Sequence, residues 1–476
     1  MEKSIKINFI FNALLNISKV IFPLITAPYI SRVLSPSGIG IFNFTASYAA
    51  YFALIAALGI PTYGIREISK RRTDFNAQNQ FLSEMITVSL ISTFILTILY
   101  VFSVYTISQL NENANFFIIA GIVLYITPFK TEWFFSGREE FFYITVRSVI
   151  IKAISILCLF TFVHKKDDLL IYILLNALTI SCNEIWNFLK IIKLGYRPYL
   201  TFHIKRHLKP IFILFTSVIA MSLYAMLDTL MLGFMSSYSE VGFYNCAAHL
   251  SKAVIPIVTS LSAVAMPRIT YYIKENNIHT IDILIRKSIS IISFLCFPIA
   301  FGLCAIASRF VPLFFGHEFV GAINPLQILS FLVICVGLSS LFGVQILTAF
   351  GEDKSFLCSV VIGSILNICS NFLLIPHYGA SGAAISSLVA EFVILVAMIV
   401  FVKKKVKVHV NGCKDAFWSL VFALFLFPIE LIVSKYFSGW LNIFVFIIVG
   451  AISYLSMQKI YGNESLILVK QLIRKK

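Results

Sequence analysis

The sequence has little charge, and most of what it has is of one sign. Of 476 residues only 13% are charged, and 38 basic residues outnumber 22 acidic ones. Soluble globular chains are about one quarter charged and about half apolar. This chain is 59% hydrophobic, with a mean hydropathy of +0.90. These proportions exclude an ordinary soluble protein, although the length alone would accommodate about three soluble domains.

The signatures of common enzymes are also missing. The chain has no P-loop, no HExxH zinc motif and no GxSxG nucleophile elbow. The nine cysteines are scattered without a CxxC pair, which favours apolar packing over metal or redox chemistry. His203 and His207 are four residues apart in a basic stretch with no third ligand nearby, so we expect both on a solvated surface. We therefore predict that the protein is not an enzyme and holds no metal or cofactor.

What the sequence has instead is a nearly unbroken series of apolar runs. A helix needs about 20 apolar residues to span a bilayer, where every backbone polar group must be bonded internally. We predict an all-α, polytopic membrane protein with about fourteen transmembrane helices, twelve being the alternative count. The predicted spans are residues 8–30, 39–63, 83–107, 116–136, 145–163, 168–189, 210–234, 242–266, 288–308, 323–349, 355–376, 380–402, 415–434 and 440–457.

The basic residues follow the predicted topology. With the N-terminus in the cytoplasm, the loops on that side hold 30 Lys and Arg residues, against five on the opposite side. This asymmetry agrees with the positive-inside rule. We therefore predict a bacterial inner-membrane protein with both termini in the cytoplasm. The net charge of +16 needs no nucleic-acid partner.

Two basic interruptions suggest how the chain is organised. We predict a six-helix lobe over 1–195, a basic cytoplasmic linker over 196–209, a second six-helix lobe over 210–402, and a last helix pair with a basic tail over 403–476. Residues 35–46, SPSGIGIFNFTA, align with 237–248, SYSEVGFYNCAA, and each lies between the first and second spans of its lobe. This repeat favours two related lobes around a central cavity, as in many transporters.

A few charges lie inside the predicted spans. An ionised side chain near the centre of a span costs about 2.5–3.5 kcal/mol on insertion scales, so it faces a cavity or a partner. Lys19, Asp228 and Lys252 are the deepest, and an Asp228–Lys252 ion pair that locks two helices is the alternative interpretation. Cations that line a cavity suit an anionic substrate. No ion-filter ring or arginine ladder indicates a channel, so we predict a transporter of a large anion.

Three stretches carry a family resemblance. They are P-x-x-x-R-V-L-S-P-x-G-I-G at Pro28–Gly40, L-G-I-P-x-Y-G-x-R-E at Leu58–Glu67, and YGASGAAISSLVAE at Tyr378–Glu391. The sequence from Phe22 to Arg72 resembles the opening of the polysaccharide transporter family. Within it, the chain looks like the Wzx-type O-antigen flippases of the multidrug/oligosaccharidyl-lipid/polysaccharide exporter superfamily.

The resemblance implies a function. Such a flippase moves undecaprenyl-diphosphate-linked O-antigen or polysaccharide repeat units from the cytoplasmic to the periplasmic leaflet by alternating access. Coupling to an H⁺ or Na⁺ gradient is expected, with no other cofactor. The partners it implies are the lipid-linked oligosaccharide, membrane lipid, and the polymerase and chain-length regulator of the same pathway.

The site hypothesis combines depth with the family-like motifs. Lys19, Arg32 and Lys252 would contact the diphosphate or acidic sugars. Arg66 would anchor a cytoplasmic gate, and Asp228 with Glu84 would couple the ion gradient by changing charge. Three alternatives remain: a multidrug exporter, an exporter of another lipid-linked precursor, and, in a different class, a membrane-integral polysaccharide polymerase. Such a polymerase normally carries a long periplasmic loop, which this sequence lacks.

Overall fold

A computed structural model of the protein describes residues 5–406, 408, 413–463 and 466. These residues form helices joined by turns, with no strand among them, which confirms the all-α prediction. The chain divides into two compact units, residues 1–234 and 235–476. This division lies at the end of the helix Lys205–Met235 and not in the basic stretch at 196–209. The predicted lobe boundaries therefore stay a prediction.

Unit 1 consists of helices of very different length. Its two short 3₁₀ helices are Thr127–Phe129 and Lys166–Asp168. Its α-helices are α1 Ile5–Ala56, α2 Ile60–Lys70, α3 Phe75–Thr106, α4 Ser108–Asn111, α5 Ala114–Ala120, α6 Ile122–Tyr125, α7 Glu132–Gly137, α8 Phe141–Phe162, α9 Leu169–Lys193 and α10 Lys205–Met235, whose last residue belongs to unit 2.

Unit 2 begins at Met235, the last residue of α10. It contains a 3₁₀ helix at His317–Ala322 and a π-helix at Ser340–Thr348. Its α-helices are α11 Tyr238–Lys274, α12 Ile278–Phe315, α13 Ile323–Ser330, α14 Leu332–Ser339, α15 Asp353–Lys405, α16 Cys413–Leu424, α17 Leu426–Tyr436 and α18 Gly439–Tyr461.

The two longest helices each contain one non-helical residue. α1 has 52 residues and α15 has 53. Each would be about 80 Å long if straight, whereas the apolar core of a bilayer is about 30 Å thick. Ser35 (φ 62°, ψ 169°) interrupts α1, and Gly379 (φ 51°, ψ −128°) interrupts α15. Each break therefore separates two segments of spanning length, as the predicted spans require.

The membrane character of the chain is confirmed. Ten helices among the described residues are long and apolar enough to cross a membrane, and 114–129 and 226–235 are shorter apolar helices. Ser35 and Gly379 each divide one of these ten helices into two segments. The protein is a multi-pass membrane protein, and the count of fourteen spans stays a prediction.

The short internal repeat has matching local geometry in the two units. In α1 the Asn43 side-chain amide donates to the carbonyl of Ile39, at 2.9 Å. In α11 Asn245 donates to the carbonyl of Val241, also at 2.9 Å. Both asparagines therefore bond one helical turn back, at equivalent places just after a helix break or start. This agreement supports a common origin of the two segments.

One end of unit 1 gathers the loops that the charge count assigns to the cytoplasm. Arg138 Nη1 donates to the Tyr196 hydroxyl at 2.6 Å, and that hydroxyl donates to Gln78 Oε1 at 2.6 Å. The Arg197 backbone N–H donates to Asn79 Oδ1 at 2.9 Å. Segments from three different predicted cytoplasmic loops thus meet at one end, in agreement with the predicted alternation of the spans.

The last helices of unit 2 pack on α12. The Tyr454 hydroxyl of α18 donates to the carbonyl of Phe294, at 3.0 Å, within an apolar cluster that α12, α16, α17 and α18 share. Arg309 Nε of α12 lies 2.7 Å from Glu430 Oε1 of α17. These contacts attach the predicted last helix pair to the body of unit 2.

Candidate functional site

A buried arginine organises the polar interior of unit 1. Arg147 of α8 has only 1% of its side chain exposed, and its Nη2 lies 2.6 Å from Glu132 Oε2. Its Nε donates to Asn183 Oδ1 at 3.2 Å, and Nη1 donates to Asn187 Oδ1. The guanidinium is therefore neutralised by a carboxylate and hydrogen-bonded on all sides. Such saturation suits a structural role in tying α7, α8 and α9 together.

A second ionisable pair extends this cluster. Glu184 of α9 accepts from Asn187 Nδ2 at 3.3 Å, and the Lys130 ammonium acts on it electrostatically. With Arg147 and Glu132, the cluster then holds two cations and two carboxylates. None of these residues belongs to the predicted site, since each lies near an end of a predicted span.

A different arrangement surrounds Lys19. Its ammonium, on α1, is exposed. The nearest polar contact is a long one, 3.5 Å to Asn16 Oδ1. Lys152 of α8 lies close enough for the two charges to repel each other. Its Nζ is 3.4 Å from the hydroxyl of Ser18, the residue before Lys19, and 5.4 Å from the centre of the Phe22 ring. Two like charges thus meet on neighbouring helices.

The other predicted cations occupy separate places. Arg32 is exposed on α1, three residues before the break at Ser35. It is thirteen residues from Lys19, which is about 20 Å along a helix. One diphosphate group is too small to reach both side chains at once. Lys252 is exposed on α11 in unit 2, close to the imidazole of His249. Asp228 is only 7% exposed on α10.

Glu84 is the most completely enclosed of the predicted residues. It is fully buried on α3, and its Oε2 lies 2.6 Å from His207 Nε2. Its Oε1 lies 2.5 Å from Arg206 Nη2 and accepts from Gln80 Nε2 at 3.1 Å. The other imidazole nitrogen, His207 Nδ1, is 2.7 Å from the Tyr63 hydroxyl. The carboxylate therefore joins α3 to the start of α10, and His207 connects this pair to Tyr63 of α2.

This network corrects one expectation. His207 was expected on a solvated surface, but it is only 3% exposed, packed between Tyr63 and Phe81. The sequence pattern placed it on the polar linker, whereas the helix that starts at Lys205 turns it into the core beside α2 and α3. A buried imidazole needs partners for both nitrogens, and Glu84 with Tyr63 supplies them.

The predicted gate residue lies on α2. Arg66 is half-exposed, its Nε 3.4 Å from Glu67 Oε1 and its guanidinium 5.3 Å from the centre of the Tyr63 ring. Glu67 also bonds Lys70 at 2.9 Å and Arg71 at 2.6 Å. Burial would raise the pKa of Glu67, but its bonds to Lys70 and Arg71 outweigh it and lower that pKa to about 2.

The geometry of the α1–α2 connection accounts for the LGIPxYG motif. Leu58 and Gly59 both have positive φ, 48° and 75°, and α2 starts directly after them. A Cβ on Gly64 would lie 2.3 Å from Cε3 of Trp133, so only glycine allows the ring to pack there. The motif therefore forms a tight turn and a flat helix face against α7.

Several known proteins are similar to this chain. The family described as polysaccharide biosynthesis protein matches residues 5–272. A "Putative O-antigen transporter" of Escherichia coli K12 is 26% identical over 84% of this chain and 97% of its own length. A "Probable low-salt glycan biosynthesis flippase" of Haloferax volcanii is 23% identical over 53% of each chain.

Solved structures show the fold. The lipid II flippase MurJ, in an inward closed conformation, superposes with a TM-score of 0.69 at 15% identity, over 93% of this chain and 99% of its own. A multidrug resistance MATE family transporter of the MOP superfamily, in an inward-facing conformation, superposes with a TM-score of 0.55 at 14% identity, over 82% of this chain and 96% of its own.

Proposed function

The chain belongs to the polysaccharide biosynthesis protein family, and from that premise we propose that it is a flippase for lipid-linked oligosaccharides. It moves undecaprenyl-diphosphate-linked O-antigen or polysaccharide repeat units from the cytoplasmic to the periplasmic leaflet of a bacterial inner membrane. The observation that carries the proposal is similarity along nearly the whole length of a relative named as an O-antigen transporter.

The physical task explains why such a substrate needs a protein. A glycan diphosphate cannot cross hydrocarbon unaided, because each polar group that loses its water without a new partner costs kilocalories. The polyprenyl tail has no such difficulty and stays in lipid. A transporter for this substrate needs cations inside the membrane, and Lys19, Arg32 and Lys252 are exposed on membrane helices. We propose that they contact the diphosphate or acidic sugars at successive points of the path.

The remaining roles complete the proposal. Asp228 couples transport to an H⁺ or Na⁺ gradient by alternating access, and Arg66 acts at a cytoplasmic gate. The hydrogen bonds of Glu84 favour a role in holding α10 to α2 and α3. A contribution of Glu84 to ion coupling would act through its hydrogen bond with His207. The polymerase and chain-length regulator of the pathway are the proposed protein partners.

The function is tested in a bacterial strain that lacks its own O-antigen flippase. Expression of this chain is expected to restore surface display and to shift lipid-linked single repeat units from the cytoplasmic to the periplasmic leaflet. Display that is restored in a strain lacking the polymerase, but not in this strain, would indicate the polymerase instead. Drug resistance without display would indicate a multidrug exporter, and either result contradicts the proposal.

A further inference from the structure

Two lysines of unit 1 lie at the middle of membrane-spanning helices. Lys19 follows the start of α1 by fourteen residues and precedes the Ser35 break by sixteen. Lys152 follows the start of α8 by eleven residues and precedes its end by ten. At a rise of about 1.5 Å per residue, each ammonium is about 15–24 Å from either end of its segment. Both charges therefore lie near the bilayer midplane.

These two lysines differ from Arg147, the buried cation near the start of α8. Arg147 is ion-paired with Glu132 and hydrogen-bonded to two asparagines. Within the described part of the chain, neither Lys19 nor Lys152 has a carboxylate within ion-pairing distance. Their polar contacts are long ones, 3.5 Å to Asn16 and 3.4 Å to Ser18.

Such a pair is unstable without an anion. The Lys152 ammonium loses hydration by burial and is repelled by Lys19, and the attraction of the Glu132 carboxylate is smaller than either effect. Natural membrane helices keep such charges where they face a ligand or a water-filled cavity. Lys19 is exposed and Lys152 half-buried, so an anion can reach both. Three rotatable donors on each ammonium suit phosphate oxygens.

We propose that Lys19 and Lys152 together form a midplane site for the diphosphate of a polyprenyl diphosphate. The inference rests on the proposed function and deepens it, since it names two residues on one unit that hold one headgroup. The Ser18 hydroxyl donates to the Leu15 carbonyl at 2.7 Å and accepts from Lys152 Nζ at 3.4 Å, and the Phe22 ring lies beside the Lys152 ammonium. Two neighbouring cations match a ligand with two phosphates better than one with a single phosphate.

The test uses the full chain in lipid nanodiscs. Binding of undecaprenyl diphosphate is compared with undecaprenyl phosphate, inorganic pyrophosphate and phosphatidylglycerol. The variants are Lys19→Gln, Lys152→Gln, the double variant and the charge-keeping Lys152→Arg. The matched control is Lys193→Gln, an exposed lysine at the end of α9. Size-exclusion profile and melting temperature verify that each variant folds.

We expect each glutamine variant to bind undecaprenyl diphosphate about tenfold or more weakly, as for loss of a charge-assisted hydrogen bond. The double variant should lose less than the product of the single losses, because the two lysines share one ligand. Lys152→Arg should keep most of the affinity and Lys193→Gln all of it. Undecaprenyl phosphate should bind more weakly than the diphosphate.

Three outcomes would overturn the inference. One is folded glutamine variants that bind the diphosphate lipid as the wild type does, while the wild type still restores display. That result removes this site and leaves the proposed function intact. The second is equal affinity for phosphatidylglycerol or inorganic pyrophosphate, which indicates a general anion site. The third is a wild type that neither binds the lipid nor restores display, which overturns the proposed function as well.

Discussion

Unit 1 contains two kinds of cation, those with a carboxylate partner and those without one. At its predicted cytoplasmic end, Arg71 and Arg206 have carboxylate partners at 2.6 and 2.5 Å, and Arg147 is neutralised in the same way by Glu132. In the middle of their helices, Lys19 and Lys152 have two long polar contacts, and Lys152 is repelled by Lys19 more strongly than it is attracted by Glu132, with which it forms no ion pair. Paired charges hold helices in place, whereas a cation without an anion costs stability and is retained for another purpose. The charges with a carboxylate partner therefore have a structural role, and we propose that the two lysines without one serve transport.

Breaking the Arg147 cluster should have the largest effect on stability. Arg147→Met removes a guanidinium with four hydrogen-bond partners and leaves Glu132 and two asparagines without theirs. We expect a loss of about 3 kcal/mol, measured by denaturant unfolding in detergent micelles. Arg72→Met is the matched control, because Arg72 and its partner Glu139 are both exposed and such pairs contribute less than about 1 kcal/mol. Equal losses in both variants would contradict the structural role of Arg147.

Gly64→Ala should destabilise the α2–α7 contact by about 2 kcal/mol. The added Cβ would lie 2.3 Å from the Trp133 ring, and both the ring and α2 are held by other contacts. Gly302→Ala, where the nearest atom is 3.9 Å away, is the control and should cost little. Melting temperatures of the two variants provide the comparison. A Gly64→Ala variant as stable as Gly302→Ala would show that Trp133 moves freely.

Glu84→Gln tests whether this carboxylate has a structural role or a role in ion-coupled transport. It removes the negative charge that Arg206 and His207 share, and we expect a loss of about 1–3 kcal/mol. Display measured at equal protein level should retain its dependence on the ion gradient. A variant of normal stability whose transport no longer depends on the gradient would instead assign Glu84 to coupling.

The sequence predicts features that depend on residues close together in the chain, but not contacts between residues that are far apart in it. The helices follow from apolar runs of about 20 residues, and the Ser35 break lies in the motif Pro28–Gly40. The depth of Lys19 could be read along the chain, but its approach to Lys152 could not. The two residues are 133 positions apart, and only the packing of α8 on α1 brings them together. His207 was misplaced for the same reason.

A smaller effect should appear in the pH dependence of stability. Because the pKa of Glu67 is lowered to about 2, its ion pairs stabilise the folded state above about pH 4.5. That contribution is lost as the pH falls through this range toward 2. The melting temperature of the wild type should therefore fall more between pH 5 and pH 3 than that of Glu67→Gln. Parallel curves would show that Glu67 is not preferentially ionised in the folded state.

The smallest effect on stability belongs to the midplane lysines. Lys152→Gln removes repulsion from Lys19 and breaks no ion pair among the described residues, so its melting temperature should equal or exceed that of the wild type. A clear fall would show that Lys152 holds α1 and α8 together. In that case the distinction between structural and transport charges would not apply to it.

The most direct measurement is the leaflet distribution of lipid-linked single repeat units in a flippase-deficient strain that expresses either the wild type or the Lys19→Gln/Lys152→Gln double variant. Both proteins must be present at the same level. The wild type should place the units in the periplasmic leaflet, and the double variant should leave them on the cytoplasmic face. Periplasmic units with the folded double variant would contradict the assignment of transport to the unpaired lysines.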